Sequence, residues 1–157
     1  MPIPRSQLRM TPDELEGFLA TERTARVATV SPDGEPHVVP LWFVWLGGAI
    51  YMSSLRRSRR NSDLESGSRV AVCVDAGVEY MELRGAVLYG RFEDPTGDPE
   101  VEEARKLFGQ KYWHGMEIPD VRSHRWLRLR PERITSWDFS KIPAGRDQRA
   151  ERLKQEG

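Results

Sequence analysis

The chain has 157 residues, enough for one substantial core and short for two. Its 24 basic and 24 acidic side chains cancel, so no global field draws it to nucleic acid or an anionic membrane, and any anion affinity must be local. A single cysteine excludes an intramolecular disulfide and a multi-cysteine metal site, and no apolar run approaches the length of a membrane span.

The opening residues, Met1-Pro2-Ile3-Pro4-Arg5, lack the apolar core of a signal peptide, so the expected location is cytoplasmic. Thr11-Pro12-Asp13-Glu14 is a helix start: Thr11 caps, Pro12 suits the first helical position, and Glu14 completes a capping box. Leu15, Phe18 and Leu19 follow as an apolar stripe. Residues 24–30 are small and β-branched and end in the turn Ser31-Pro32-Asp33-Gly34. The run 36–46 reads as one strand with two apolar faces, covered on both sides, and Pro40 within it points to an edge or a bulge. Gly47-Gly48 turns the chain into a strand from Ala49 to Ser53.

Four arginines then fall within five positions: Arg56, Arg57, Arg59 and Arg60. A basic run by itself is more often a solvated face. This one lies between a strand end and a short helical turn at 61–67, where guanidinium forks and helical N–H groups suit a phosphate or other anion. Val70 to Asp75 is a buried strand, and residues 79–93 form a long one broken near Gly85 and Gly90. Residues 98–112 read as a helix with Val101, Ala104, Leu107 and Phe108 inward. The stretch 121–128 fits no single period, 133–139 is a last strand, and 140–157 is a polar tail. Short antiparallel strands joined by tight turns predict a mainly β barrel or meander over residues 10–139.

The chemistry follows by elimination. His37, His114 and His124 are too scattered for a ligand motif, and no HExxH, CxxC, GxSxG, Walker or Rossmann glycine pattern occurs. Cys73 sits within Val70-Ala71-Val72-Cys73-Val74 as a small buried hydrophobe. An enzyme built this way relies on a cofactor for its reactive centre, and the protein supplies position and electrostatics.

Several segments resemble the flavin and deazaflavin oxidoreductases of the pyridoxamine 5'-phosphate oxidase-like split β-barrel, most closely the F420-dependent branch B. The resemblance rests on Thr11-Pro12-Asp13-Glu14-Leu15, Ala25-Arg26-Val27-Ala28-Thr29-Val30, Val39-Pro40-Leu41-Trp42-Phe43, Ile50-Tyr51-Met52-Ser53-Ser54, and Ser58-Arg59-Arg60-Asn61-Ser62-Asp63-Leu64. In relatives the last segment commonly reads Ser-Arg-Lys-x-x-Asn-Leu. Arg60 keeps the lysine's charge, whereas Asp63 replaces an amide by a carboxylate.

The resemblance implies a six-stranded antiparallel split barrel with flanking helices, forming a homodimer with cofactor sites at the subunit interface. It places a tricyclic ring against Val39, Pro40, Leu41, Trp42, Met52, Ser53 and Ser54, its phosphate on Arg57, Arg59 and Arg60, and Tyr80 along the dimer-related pocket. The implied activity is hydride transfer from F420H2 to a small conjugated organic substrate, with no single catalytic side chain. The four arginines, with Arg122, Arg125, Arg128 and Arg130 further on, suit the longer anionic tail of F420. FMN is the alternative, as an oxidase of the pyridoxamine-phosphate type. A non-catalytic flavin or haem binder, with His37 or His124 as axial ligand, is another.

Overall fold

The computed structural model describes residues 4–58, 67–116, 118–119 and 122–143. The capping box at Thr11 is present: its hydroxyl accepts the Glu14 N–H at 3.2 Å, and the Glu14 carboxylate accepts the Thr11 N–H at 2.7 Å. Helix α1 (Pro12–Thr21) follows and buries Phe18 and Leu19. Helix α2 (Pro99–Tyr112) buries Val101, Ala104, Phe108 and Tyr112 along one face.

Among the described residues nine strands form two antiparallel sheets. The first has the order β2 (Pro36–Trp42), β1 (Thr24–Val30), β5 (Val70–Ala76), β6 (Arg84–Gly90) and β9 (Arg133–Asp138). The second has the order β3 (Val44–Leu46), β4 (Ala49–Leu55), β8 (His124–Leu129) and β7 (Phe92–Glu93). Among the described residues no ladder joins the sheets, so the barrel is not closed by hydrogen bonds.

Three departures from the expected six strands stand out. The run 36–46 is two strands, because the chain leaves the first sheet after Trp42 and enters the second at Val44. Phe43 at the crossing has no strand partner; the Tyr112 hydroxyl accepts its N–H at 3.1 Å and stands 2.6 Å from its carbonyl. Residues 79–93 are also not one strand: a 3-10 turn (Tyr80–Glu82) precedes β6, and β7 belongs to the other sheet. The ambiguous stretch 121–128 contains the start of β8, which pairs with the whole of β4 beyond Ala49.

Among the described residues strand β2 pairs only with β1, so Pro40 stands on an edge, where a strand tolerates proline's missing N–H. Gly47 and Gly48, with φ of 57° and 75°, make the tight turn between β3 and β4 that L side chains resist.

Period-two alternation divides each strand. Ala25, Val27, Val72, Val74, Ala86 and Leu88 from the first sheet meet Ile50, Met52 and Leu129 from the second, with Phe43, Phe18 and Leu19 completing one core. A second cluster joins Val44, Ala49 and Tyr51 to Ala104, Phe108 and Tyr112 of α2. Each large side chain so buried contributes about 1.5–3 kcal/mol, which is what holds the sheets together without a shared ladder. An ionic clamp fixes the start of α2: Arg128 on β8 reaches Glu93, Asp98 and Glu100, and the Tyr51 hydroxyl donates to Glu100 at 2.6 Å. No helix among the described residues is long and apolar enough to cross a membrane.

Candidate functional site

A cleft of about 620 Å³ opens beside the free edge of β2. Pro40, Leu41 and Trp42 of that edge and Thr24 of β1 make one wall. Ser53 of β4 with His124 and Trp126 of β8 make the facing wall. Phe108 of α2 and the following Trp113, Ile118 and Pro119 close the end. Its lining is mostly apolar and aromatic, with a few polar groups, the composition of a site for a planar organic ligand.

The aromatic wall is built as a unit. Trp42 stacks on Tyr112 at 4.7 Å and 8°, Phe108 lies 4.5 Å from Tyr112, and Trp126 meets Phe108 edge-on at 5.5 Å. Behind it, Arg23 covers the Tyr112 ring at 4.7 Å and Lys111 stands 4.6 Å from the Phe43 ring. Burial raises the Tyr112 phenol to about 12, and burial, with Arg23 nearby, lowers the Lys111 amine to about 8.

The register sorts the β4 candidates. Ser53 lies opposite Trp126 and shares its face, so it reaches the cleft. Met52 and Ser54 belong to the other face: Met52 is fully buried in the core, and Ser54 is buried as well. Neither lines the cleft, because successive side chains of a strand point to opposite sides. Val39 packs toward the same core, opposite Val27.

Tyr80 stands apart too, on the 3-10 turn before β6, with its ring 5.1 Å from Phe139 and most of its surface exposed. Of the arginine turn, Arg57 is exposed just beyond β4, and Arg56 donates from Nε to the His124 carbonyl at 3.1 Å. Arg59 and Arg60 lie outside the described residues.

The downstream arginines do not form one basic track. Arg128 is held by three carboxylates and Arg130 by Glu100 at 2.6 Å, which removes both from anion binding. His37 sits on β2 opposite Thr29, on the core-facing side, whereas His124 is in the cleft wall. Sequence reasoning missed Trp126, Phe108, Trp113 and Thr24 as lining residues, and named His124 only as an alternative haem ligand. A signal existed for two of them: His124 and Trp126 alternate with Arg125 and Leu127 as a strand requires.

A family model described as pyridoxamine 5'-phosphate oxidase matches residues 11–138, and the chain belongs to that family. No curated protein matches the sequence. Among solved structures, a conserved hypothetical protein from Mycobacterium tuberculosis superposes with a TM-score of 0.78 at 23% identity, over 90% of this chain and 92% of that one. A FAD- and heme-binding protein from Mycobacterium smegmatis gives 0.68 at 20% identity, over 92% and 79%. A structure described as an F420 reductase gives 0.57 at 22% identity, over 76% and 94%. At these identities the likeness is one of fold.

Proposed function

We propose that the protein is an F420H2-dependent reductase that passes a hydride to a small conjugated organic substrate. The observation that carries this reading is the cleft itself. An aromatic, half-open slot lies between a free strand edge and the Ser53–His124–Trp126 face, and the chain continues from that face directly into the arginine turn. Its geometry fits a tricyclic ring with an anionic tail. Trp42 and Trp126 flank the ring, the edge of β2 offers backbone groups to its heteroatoms, Ser53 donates a hydrogen bond, and Arg57, Arg59 and Arg60 hold the phosphate.

When bound, the deazaflavin supplies the hydride; the chain's own part is to hold donor and acceptor face to face and keep water out. The family membership and the existence of an F420 reductase with this fold support the reading.

The working form is a homodimer. Val30 and Val38 are 45% and 60% exposed on the outer face of the first sheet, an apolar surface that a second copy would cover. Tyr80, remote from the cleft of its own chain, then serves the partner's pocket. The expected location is the cytoplasm.

A second reading has one observation in its favour: His124 in an aromatic cleft is placed to be an axial ligand for haem, and a relative of this fold binds FAD and heme. Titration decides among these. Purified protein should bind F420 saturably and quench its fluorescence. Tight FMN or a Soret band from the expression host, with no saturable F420 binding, would overturn the deazaflavin assignment. Light scattering at micromolar concentration should give a dimer.

A further inference from the structure

We infer that His124 is the proton donor that completes reduction of a conjugated carbonyl substrate in this cleft, an inference that rests on the deazaflavin reading above. Among the described lining residues, the polar side chains are Thr24, Ser53, His124 and the three indoles Trp42, Trp113 and Trp126. Of these side-chain types, imidazole is the one enzymes most often use as general acid or base.

The position of His124 is fixed by the sheet. It is the first residue of β8, opposite Leu55, and it shares a face with Trp126 two residues on. Ser53, across from Trp126, places a hydroxyl on that same wall. Two further contacts hold the residue from behind: Arg56 donates to its carbonyl at 3.1 Å, and the Ser123 hydroxyl lies 3.1 Å from Nδ1. With Nδ1 engaged there, Nε2 is the nitrogen without a partner among the described residues. Among the described residues, Arg56 contacts it from the end of β4, Arg125 follows it on β8, and the Asp94 carboxylate interacts with both arginines.

The chemistry balances. Hydride from the reduced deazaflavin forms a C–H bond at the β-carbon of an α,β-unsaturated ketone, and the alkene π pair shifts toward the carbonyl oxygen as an enolate. Nε2–H of the imidazolium protonates the α-carbon, restoring the ketone, and water returns a proton to His124. Ser53 is the neighbouring donor for the carbonyl oxygen while charge develops there.

The test uses the full chain loaded with F420, and 2-methylcyclohex-2-enone, whose α-carbon becomes a stereocentre on protonation. Wild type should yield one enantiomer in excess. His124→Gln should still bind F420 saturably, turn over about a hundredfold or more slowly when saturated, give racemic product, and recover rate with added imidazole. A second readout needs no turnover: carbethoxylation of His124 in wild type, followed by mass spectrometry, should slow when oxidised F420 and the enone are both bound.

Wild-type rate and stereochemistry in His124→Gln would overturn the inference, as would unprotected His124. Enone left unreduced by F420-loaded wild type would overturn it while the cofactor assignment stands. Absence of F420 binding, seen before any substrate is added, would overturn both.

Discussion

The indole of Trp42 lies flat on the phenol ring of Tyr112, with ring centres 4.7 Å apart and planes 8° from parallel. The Tyr112 hydroxyl in turn holds the Phe43 backbone and the Arg23 carbonyl, at 2.6 to 3.1 Å. One residue of α2 thus caps the point where the chain changes sheets and backs a wall of the cleft. Tyr112→Phe keeps the stack and deletes the hydroxyl, leaving the buried Phe43 N–H unpaired. The expected loss is about 1–3 kcal/mol in urea unfolding, with a smaller drop in cofactor affinity as Trp42 loosens. Stability equal to wild type would show that the crossing does not depend on this hydroxyl.

The two titrating groups behind that wall give opposite pH slopes. Burial lowers Lys111 from 10.5 to about 8, so between those values the unfolded chain binds more protons than the native one. Stability therefore rises with pH across that window. Burial raises Tyr112 from 10.0 to about 12, so the unfolded chain ionises first and stability falls from pH 10 upward. Chemical denaturation from pH 7 to 11 should show a rise that Lys111→Met flattens. A monotonic fall across the range would contradict the burial of Lys111.

Adjacent serines on β4 should behave as residues of different compartments. Ser53 faces the cleft, and Ser54 is buried on the opposite side. Ser53→Ala is expected to weaken cofactor binding by roughly the value of one hydrogen bond, about 0.5–1.5 kcal/mol, with unfolding unchanged. Ser54→Ala should lower the unfolding midpoint and leave binding alone. Calorimetric titration and urea melts on the pair read both; the reverse pattern would mean that β4 is out by one residue.

How much of this was legible in the sequence depended on whether the deciding contact was local. The cap at Thr11, the glycine turn after Leu46 and the edge character of Pro40 are all written in neighbouring residues, and the structure has each of them. The break at Phe43 was not legible, since what ends β2 there is a hydroxyl 69 residues away. The same applies to Met52 and Ser54. Placing them in the site required knowing which face of β4 meets the core, and that depends on its pairing with β8, a strand distant in sequence. Trp126 was missed for that reason too, and His124 was named only as an alternative haem ligand. The downstream arginines looked like a track because carboxylates distant in sequence, Glu93, Asp98 and Glu100, were not yet seen to bind them.

That last distinction makes the arginine turn separable from the arginines of β8. Arg59→Ala with Arg60→Ala should remove most cofactor affinity while the circular dichroism spectrum and melting temperature stay at wild-type values. Charge-assisted hydrogen bonds to phosphate contribute about 1.5–3 kcal/mol each, or roughly tenfold to a hundredfold in affinity per residue. Arg57→Ala, at the exposed start of the turn, should cost less than the pair. Arg130→Ala serves as the control: its guanidinium is bound to Glu100, so its loss should leave F420 affinity unchanged and affect only the clamp on α2. Wild-type should also bind more weakly as salt rises, and the double variant should lose most of that dependence. If the double variant binds F420 as tightly as wild type, the turn is a solvated surface, and the anionic tail of the cofactor must be held elsewhere.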